Sequence, residues 1–359
     1  MTGPEPAATG LELAAAFYRD VVRPIAGGVP HGAALLGDGS EVLGFDDTVS
    51  PDHGFGPRVQ LFLPAGVDPA PLRRALDERL PAEFGGLPAR YPPFDGHAPA
   101  HQVPVTTVGA FLAERLGVDP LGGLSARDWL SLPTQRLATL TGGAVFADGT
   151  GELGSARALL AWYPDDVWRL VLAAQWLRVA QEEPFVGRAG GRGDELGSAV
   201  VGARLVRDLM RLAFLVHRRY APYSKWLGTA FAGLPAATTP HRALAGALAA
   251  RRWRGREDAL CRAAEVLAAA TTALRLYPGA PDPARRRFHT RDIRVLDAGR
   301  FTAALTGAIT DPEVLAVLRD QVGRDGAPHP LGAIDQLTDS VDVLCDPARC
   351  RALVAALAR

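Results

Sequence analysis

AALLGDGSEVLGFDDTVSPDHGFGPRVQLFL, residues 33–63, is the stretch whose reading decides the fold. Its apolar run at 33–36 reads as a short strand, and Gly37-Asp38-Gly39-Ser40 as a turn. A loop or short helix follows, and then Val59, Leu61 and Leu63 alternate as one buried face of a second strand. Upstream, residues 11–26 carry apolar positions at helical spacing and run into Gly27-Gly28, a glycine stop. Downstream, residues 69–83 read as a helix started after Asp68-Pro69, residues 84–100 as a Gly/Pro-rich loop, and HQVPVTTV at 101–108 as a strand. Pro104 in that strand favours an edge or a bulge.

From about residue 109 the pattern is helical almost throughout, with apolar spacing near 3.6 over 109–116, 125–140, 154–161, 164–183, 194–219, 240–275, 298–306, 311–322 and 346–358. The reading is therefore α+β: an N-terminal mixed sheet with flanking helices over 1–110, then a mainly α-helical domain over 111–276. The Pro/Arg-rich segment 277–292 opens a connector and C-terminal helical subdomain, 277–359.

The chain has 359 residues, 48% apolar and 22% charged, a balance that supports packed cores and favours two domains over one. With 39 basic and 39 acidic residues it has no net field to draw it to nucleic acid or an anionic membrane. The first residues lack a basic, apolar leader pattern, and no apolar run reaches the ~18 residues of a spanning helix, so the sequence predicts a cytoplasmic protein. Cys261, Cys345 and Cys350 are too few for a disulfide framework or a four-cysteine zinc site. Only one of the 39 basic residues, Lys225, is lysine, and asparagine is absent, a bias expected of a GC-rich coding background. An ammonium kept where arginine dominates suggests a need for a compact point charge.

Gly39-Ser40 followed by Asp52 is the spacing at which the sequence resembles the polymerase-β-type nucleotidyltransferases. The resemblance covers roughly residues 30–345, including SPDHGFGPRVQLFL and the helical stretch 162–231. It extends to bacterial proteins in which such a domain is fused to an all-helical domain of unassigned function. It implies that Gly39, Ser40 and Arg58 hold a nucleoside triphosphate, that Asp52 is a catalytic carboxylate binding Mg²⁺, and that the partner acid two residues on is missing, since that residue is Gly54. A carboxylate from the helical domain then acts as general base, with Glu182, Glu183 and Glu195 the candidates. Gln175, Arg178, Gln181 and Glu182 form a polar stripe on one helix face, and Ser198, Arg204, Arg207, Asp208 and Arg211 lie among apolar residues on the next.

YAPYSKW, 220–226, places Tyr223, Ser224 and Lys225 where aromatic stacking and phosphate contact are possible, Lys225 also serving catalysis. The alternative is a packing turn in which Tyr220, Tyr223 and Trp226 close the core. Arg211 and His217 loosely match the Arg/His spacing of helical-bundle ribonucleases, a minor reading, and Asp335, Asp339 and Asp342 read as a solvated acidic face, with a site carboxylate the alternative if the C-terminal part folds back. The expected activity is nucleotidyl transfer from a nucleoside triphosphate to a small-molecule or protein hydroxyl with an incomplete metal site. The alternatives are metal-independent chemistry on the same fold, or nucleotide binding without catalysis.

Overall fold

The computed structural model describes residues 9–47, 49, 55–92, 98–279, 281–323 and 326–357. It is an α+β chain, with a four-stranded mixed sheet in its first part and a mainly helical second part. By contacts it divides into two units: Met1–Gly123 with Arg136–Ala161, and Leu124–Gln135 with Trp162–Arg359. This division differs from sequence boundaries at 110 and 276, because a strand beyond 110 returns to the sheet and the residues after 276 pack within the helical unit.

In the first unit, strands β1 (Gly32–Leu35), β2 (Gln60–Phe62), β3 (Val105–Thr106) and β4 (Ala144–Asp148) stand in the order β3-β2-β1-β4. β1 runs antiparallel to both neighbours, Ala33 facing Leu61 on one side and Ala147 on the other, while β2 and β3 are parallel. β4 is missing from the sequence reading: AVFAD is a five-residue strand set between helices, too short to announce itself by alternation. Phe17, Val22, Val59, Leu61, Leu63, Leu76 and Val105 form the core. The opening helix, Gly10–Phe17, is started by a Thr9 capping box and passes through a π-helical turn at Tyr18–Val22. Pro24 has no N–H to return to Asp20, and the chain bonds Arg23 N–H to Tyr18 O instead.

One buried polar residue ends β1. Gln60, 7% exposed, receives the Leu36 N–H on Oε1 at 3.0 Å and gives its amide N–H to Leu36 O at 2.9 Å. The side chain thus serves both backbone groups of the residue that leaves the strand and enters the Gly37–Ser40 turn.

The helical unit is built on two long helices, Asp165–Gly190 and Glu195–Val216, with Thr238–Ala249, Trp253–Ala273 and Gly299–Thr306 against them. Trp168 and Trp176 are fully buried between them; Trp168 donates to Leu215 O at 3.0 Å and Trp176 stacks on Phe301. The first long helix passes through Pro184, which removes a single hydrogen bond, and so outruns the expected end at 183. Two expected helices are each broken. Residues 125–140 split at Leu132, extended ahead of Pro133, and 240–275 splits at Ala250, whose carbonyl accepts from Arg256 Nη2 at 2.8 Å. No helix among the described residues is long and apolar enough to cross a membrane.

Replacing Gln60 by leucine keeps the volume and strands Leu36 N–H and O. The expected cost is about 2–4 kcal/mol in urea unfolding, and an unchanged midpoint would show that Leu36 finds other partners.

Candidate functional site

The turn after β1 is held from both sides by arginines. Gly37 and Gly39 have φ of +88° and +129°, backbone that side chains avoid. A Cβ on Gly39 would stand 2.1 Å from Arg58 Nη2 and 2.5 Å from Glu41 Oε2, so the close packing itself also demands glycine. Arg58 Nε donates to Glu41 Oε1 at 3.0 Å, and its Nη2 donates to the same oxygen and to Asp38 O. Glu41 is 3% exposed, so this pair neutralises a buried carboxylate. Arg115, whose guanidinium lies 4.8 Å from the Phe111 ring centre, reaches Asp38 Oδ2 at 3.1 Å. Among the described residues, none accepts a hydrogen bond from the N–H of Asp38 or Gly39. Nearby, the buried Tyr91 hydroxyl has no partner among the described residues; burial pushes its pKa up to about 12, against the pull of Arg58.

Asp52, with His53 and Gly54, lies outside the described residues. Glu41 is committed to Arg58, Asp46 accepts from Gly10 N–H at 2.7 Å, and no group of three His, Cys, Asp or Glu among the described residues could hold a metal ion. The described residues therefore do not fit a magnesium site.

In the helical unit the predicted residues have separate partners. Glu182 lies 3.5 Å from Arg204 Nη1. Glu195, in the first turn of its helix, lies 3.5 Å from both Arg252 Nε and the buried Arg256 Nη1. Lys225 is exposed, its ammonium 4.8 Å from the Trp226 ring centre, and Ser224 beside it is exposed too. Tyr223, 47% exposed, gives its backbone N–H to Gln135 Oε1 at 2.9 Å, so its ring does not close the core; Tyr220 does, 8% exposed and 4.9 Å from Trp162.

Glu183 is a structural anchor. Its carboxylate accepts from the N–H groups of Leu296, Asp297 and Ala298 at 2.7, 3.3 and 2.9 Å, which begins the helix Gly299–Thr306. Burial nevertheless outweighs these donors and raises its pKa to about 7.

The polar residues that do converge surround a small cavity of about 30 Å³ in the helical unit. Gln336 folds back from the C-terminal part: its amide N–H groups go to Val171 O and Gln175 Oε1, both at 3.0 Å, and its Oε1 accepts from Ala333 N–H at 2.9 Å. Gln175 Nε2 donates to Asp208 O at 3.0 Å, and Arg178 Nη1 to Gln336 O at 2.7 Å. Asp335 corrects the reading of a solvated acidic face, because it accepts from Thr134 N–H at 2.8 Å and Thr134 Oγ1 at 3.0 Å while Arg211 Nη1 holds its carbonyl at 2.5 Å. Burial raises the Asp335 pKa. Asp339 is exposed and pairs with Arg207, whose Nη1 donates to Oδ2 at 2.7 Å. Tyr163, also lining the cavity, is 3% exposed and its hydroxyl has no hydrogen-bond partner. Sequence reasoning missed Tyr163, Thr134, Arg219 and Gln336. Gln175 and Arg211 stood out on the helices, and Asp335 was read as part of an acidic face.

Residues 129–227 match the model of a domain of unknown function, DUF4037. Nine of the twelve residues lining the cavity fall within that span. No curated protein and no solved structure gives a significant match to the chain.

The raised Glu183 pKa has a definite sign. Below the ordinary glutamate value of 4.5 its contribution to stability is fully present, and it is lost as pH rises through about 7. The loss is at most about 3 kcal/mol. Glu183→Gln, which keeps an acceptor for the backbone donors, should flatten the fall in stability between pH 4.5 and 7; an unchanged slope in denaturant titrations would assign that fall to another group.

Proposed function

We propose that the first unit binds a nucleoside triphosphate at the Gly37–Ser40 turn, as a nucleotidyltransferase-like protein in which binding, rather than magnesium-dependent transfer, is the function that the described residues support. One observation carries the reading: the adjacent N–H groups of Asp38 and Gly39 have no acceptor among the described residues, in a glycine turn at the end of a strand, between two guanidiniums. Successive N–H groups in such a turn form a concave anion site, and guanidiniums add charge-assisted donors. Arg115 is the freer of the two, since its partner Asp38 is an exposed carboxylate that a phosphate can displace, whereas Arg58 is tied to buried Glu41.

Binding without transfer is favoured over catalysis by the engagement of Glu41 with Arg58, which withdraws the buried acid nearest the turn from any metal. Transfer to a small-molecule or protein hydroxyl, with Asp52 on a metal and Glu182 or Glu195 as base, is the second reading. Calorimetric titration of the full chain with ATP, GTP, CTP and UTP, with and without Mg²⁺, separates the two when paired with a pyrophosphate-release assay. The expected result is saturable binding of a triphosphate that Arg115→Ala weakens about tenfold, with no pyrophosphate released. Release dependent on Mg²⁺ would establish transfer in place of simple binding, and no binding of any of the four would refute both.

A further inference from the structure

PARRRFHTRDIRV, residues 283–295, contains a hairpin on the helical unit. Its two short strands, Arg286–Arg287 and Arg294–Val295, run antiparallel, with Arg287 directly opposite Arg294. Phe288 N–H donates to Ile293 O at 2.9 Å, so the adjoining pair Arg287–Arg294 is the kind without mutual backbone bonds. Facing side chains come closest in such a pair, with ~5 Å between Cβ atoms. Ile293 and Val295 are buried, whereas Arg287 and Arg294 are both exposed, so the two guanidinium side chains share the outer face. Like charges so placed repel each other. Other arginines of the segment are neutralised: Arg285 by Glu265 and Asp258, and Arg286 by Asp297. Arg287, Arg291 and Arg294 are not, since none of their side chains has a hydrogen bond or ion pair among the described residues. Arg294 acts on the buried Glu257 carboxylate only through space.

The same end of the helical unit carries further positive charge and several aromatic rings. Gly190 packs against Trp253, where a Cβ on the glycine would stand 2.2 Å from the tryptophan Cβ. Arg254 Nη2 donates to Asp292 Oδ2 at 2.5 Å, which ties the start of the helix Trp253–Ala273 to the hairpin and uses the acid at its tip. Arg192 and Arg251, each two residues from the Gly190–Trp253 contact, are exposed, and their side chains have no partner among the described residues. Trp253 and Phe288 are half-buried. The Arg254 guanidinium lies 3.9 Å from the Trp253 ring centre, and the exposed His289 ring 4.5 Å from that of Phe288. A chain with 39 basic and 39 acidic residues has no global field, but this end of it is locally basic.

We propose that this surface binds a single-stranded nucleic acid, one phosphate bridging the facing guanidiniums of Arg287 and Arg294, the backbone continuing past Arg291, and bases meeting Trp253, Phe288 and His289. A phosphate between the two arginines turns their repulsion into two charge-assisted contacts. Basic side chains interleaved with aromatic rings are the components of sequence-tolerant single-strand sites. The rings favour a strand over an acidic peptide. The hairpin has no large exposed apolar side chain to enter a lipid surface. Every residue involved belongs to the helical unit, so the site stands apart from triphosphate binding at the Gly37–Ser40 turn.

The test is fluorescence anisotropy of labelled uridylate and thymidylate strands of about 20 nucleotides, titrated with the full chain. At least one strand should bind saturably, and roughly tenfold more weakly at about 200 mM salt than at about 50 mM. Replacing both Arg287→Gln and Arg294→Gln should weaken binding about tenfold or more at low salt and reduce the salt slope by about 1.4, the share of two phosphate contacts. That variant should melt no lower than the parent protein, because it removes a like-charge pair. Arg242→Gln with Arg275→Gln removes the same charge from exposed arginines away from the hairpin, and should bind like the parent. The proposal is overturned if neither strand saturates, or if the second pair of substitutions costs as much as the first. It is also overturned if polyglutamate or phosphatidylserine vesicles displace the strand more effectively, charge for charge, than unlabelled strand does, which would assign the surface to an acidic protein or a membrane.

Discussion

The helical unit depends on the buried amide of Gln336. Its side chain satisfies Ala333 N–H, Val171 O and Gln175 Oε1, while its own carbonyl takes a hydrogen bond from Arg178. A 9% exposed amide is tolerated only when its donors and acceptor are met, and here both acceptors, Val171 O and Gln175 Oε1, are fixed by the long helix Asp165–Gly190. The consequence is topological. Residues 333–339, far along the chain from both long helices, are pinned against them, and Asp335 and Gln336 become a wall of the cavity. Arg207 and Arg211 extend the same attachment to Asp339 and to the Asp335 carbonyl. The arginines that a stripe on a helix offers to solvent are in this unit largely used to hold the returning chain.

In the first unit the comparable constraint is the Arg58–Glu41 pair beneath the Gly37–Ser40 turn. A guanidinium that both neutralises a buried acid and binds a turn carbonyl makes the turn rigid, and rigidity is what an anion site made of backbone N–H groups needs. It also restricts the chemistry: a carboxylate spent on arginine is a poor ligand for a hard divalent ion. The same few atoms therefore hold the turn and leave Glu41 unavailable as a metal ligand.

Much of the fold was legible in the sequence, because its signals are local. Alternation at 59–63, the glycine-bearing turn and helical periodicity after 109 each act over a few residues, and the elements appear where those patterns stand. What escaped is long-range. The strand at 144–148 is defined by its pairing with β1, where Gly32 faces Asp148 and Leu35 faces Ala144, more than 100 residues on, and AVFAD alone does not announce a sheet edge. The candidate sites divide in the same way. Gly39 was legible as a turn residue and Arg58 was singled out through the resemblance, but the engagement of Arg58 with Glu41 required the packed structure. Lys225 drew notice by its rarity, yet it lies exposed on Trp226, while Tyr163 and Gln336, ordinary in composition, face the cavity.

Amide hydrogen exchange of the full chain, followed by mass spectrometry with and without saturating ATP, tests most directly whether the glycine turn is where a triphosphate docks. The account predicts slowed exchange in peptides covering residues 37–44, where the unpaired N–H groups would gain phosphate acceptors. Unchanged exchange over 37–44 under conditions where ATP is bound would contradict it, and would move the nucleotide site elsewhere in the molecule.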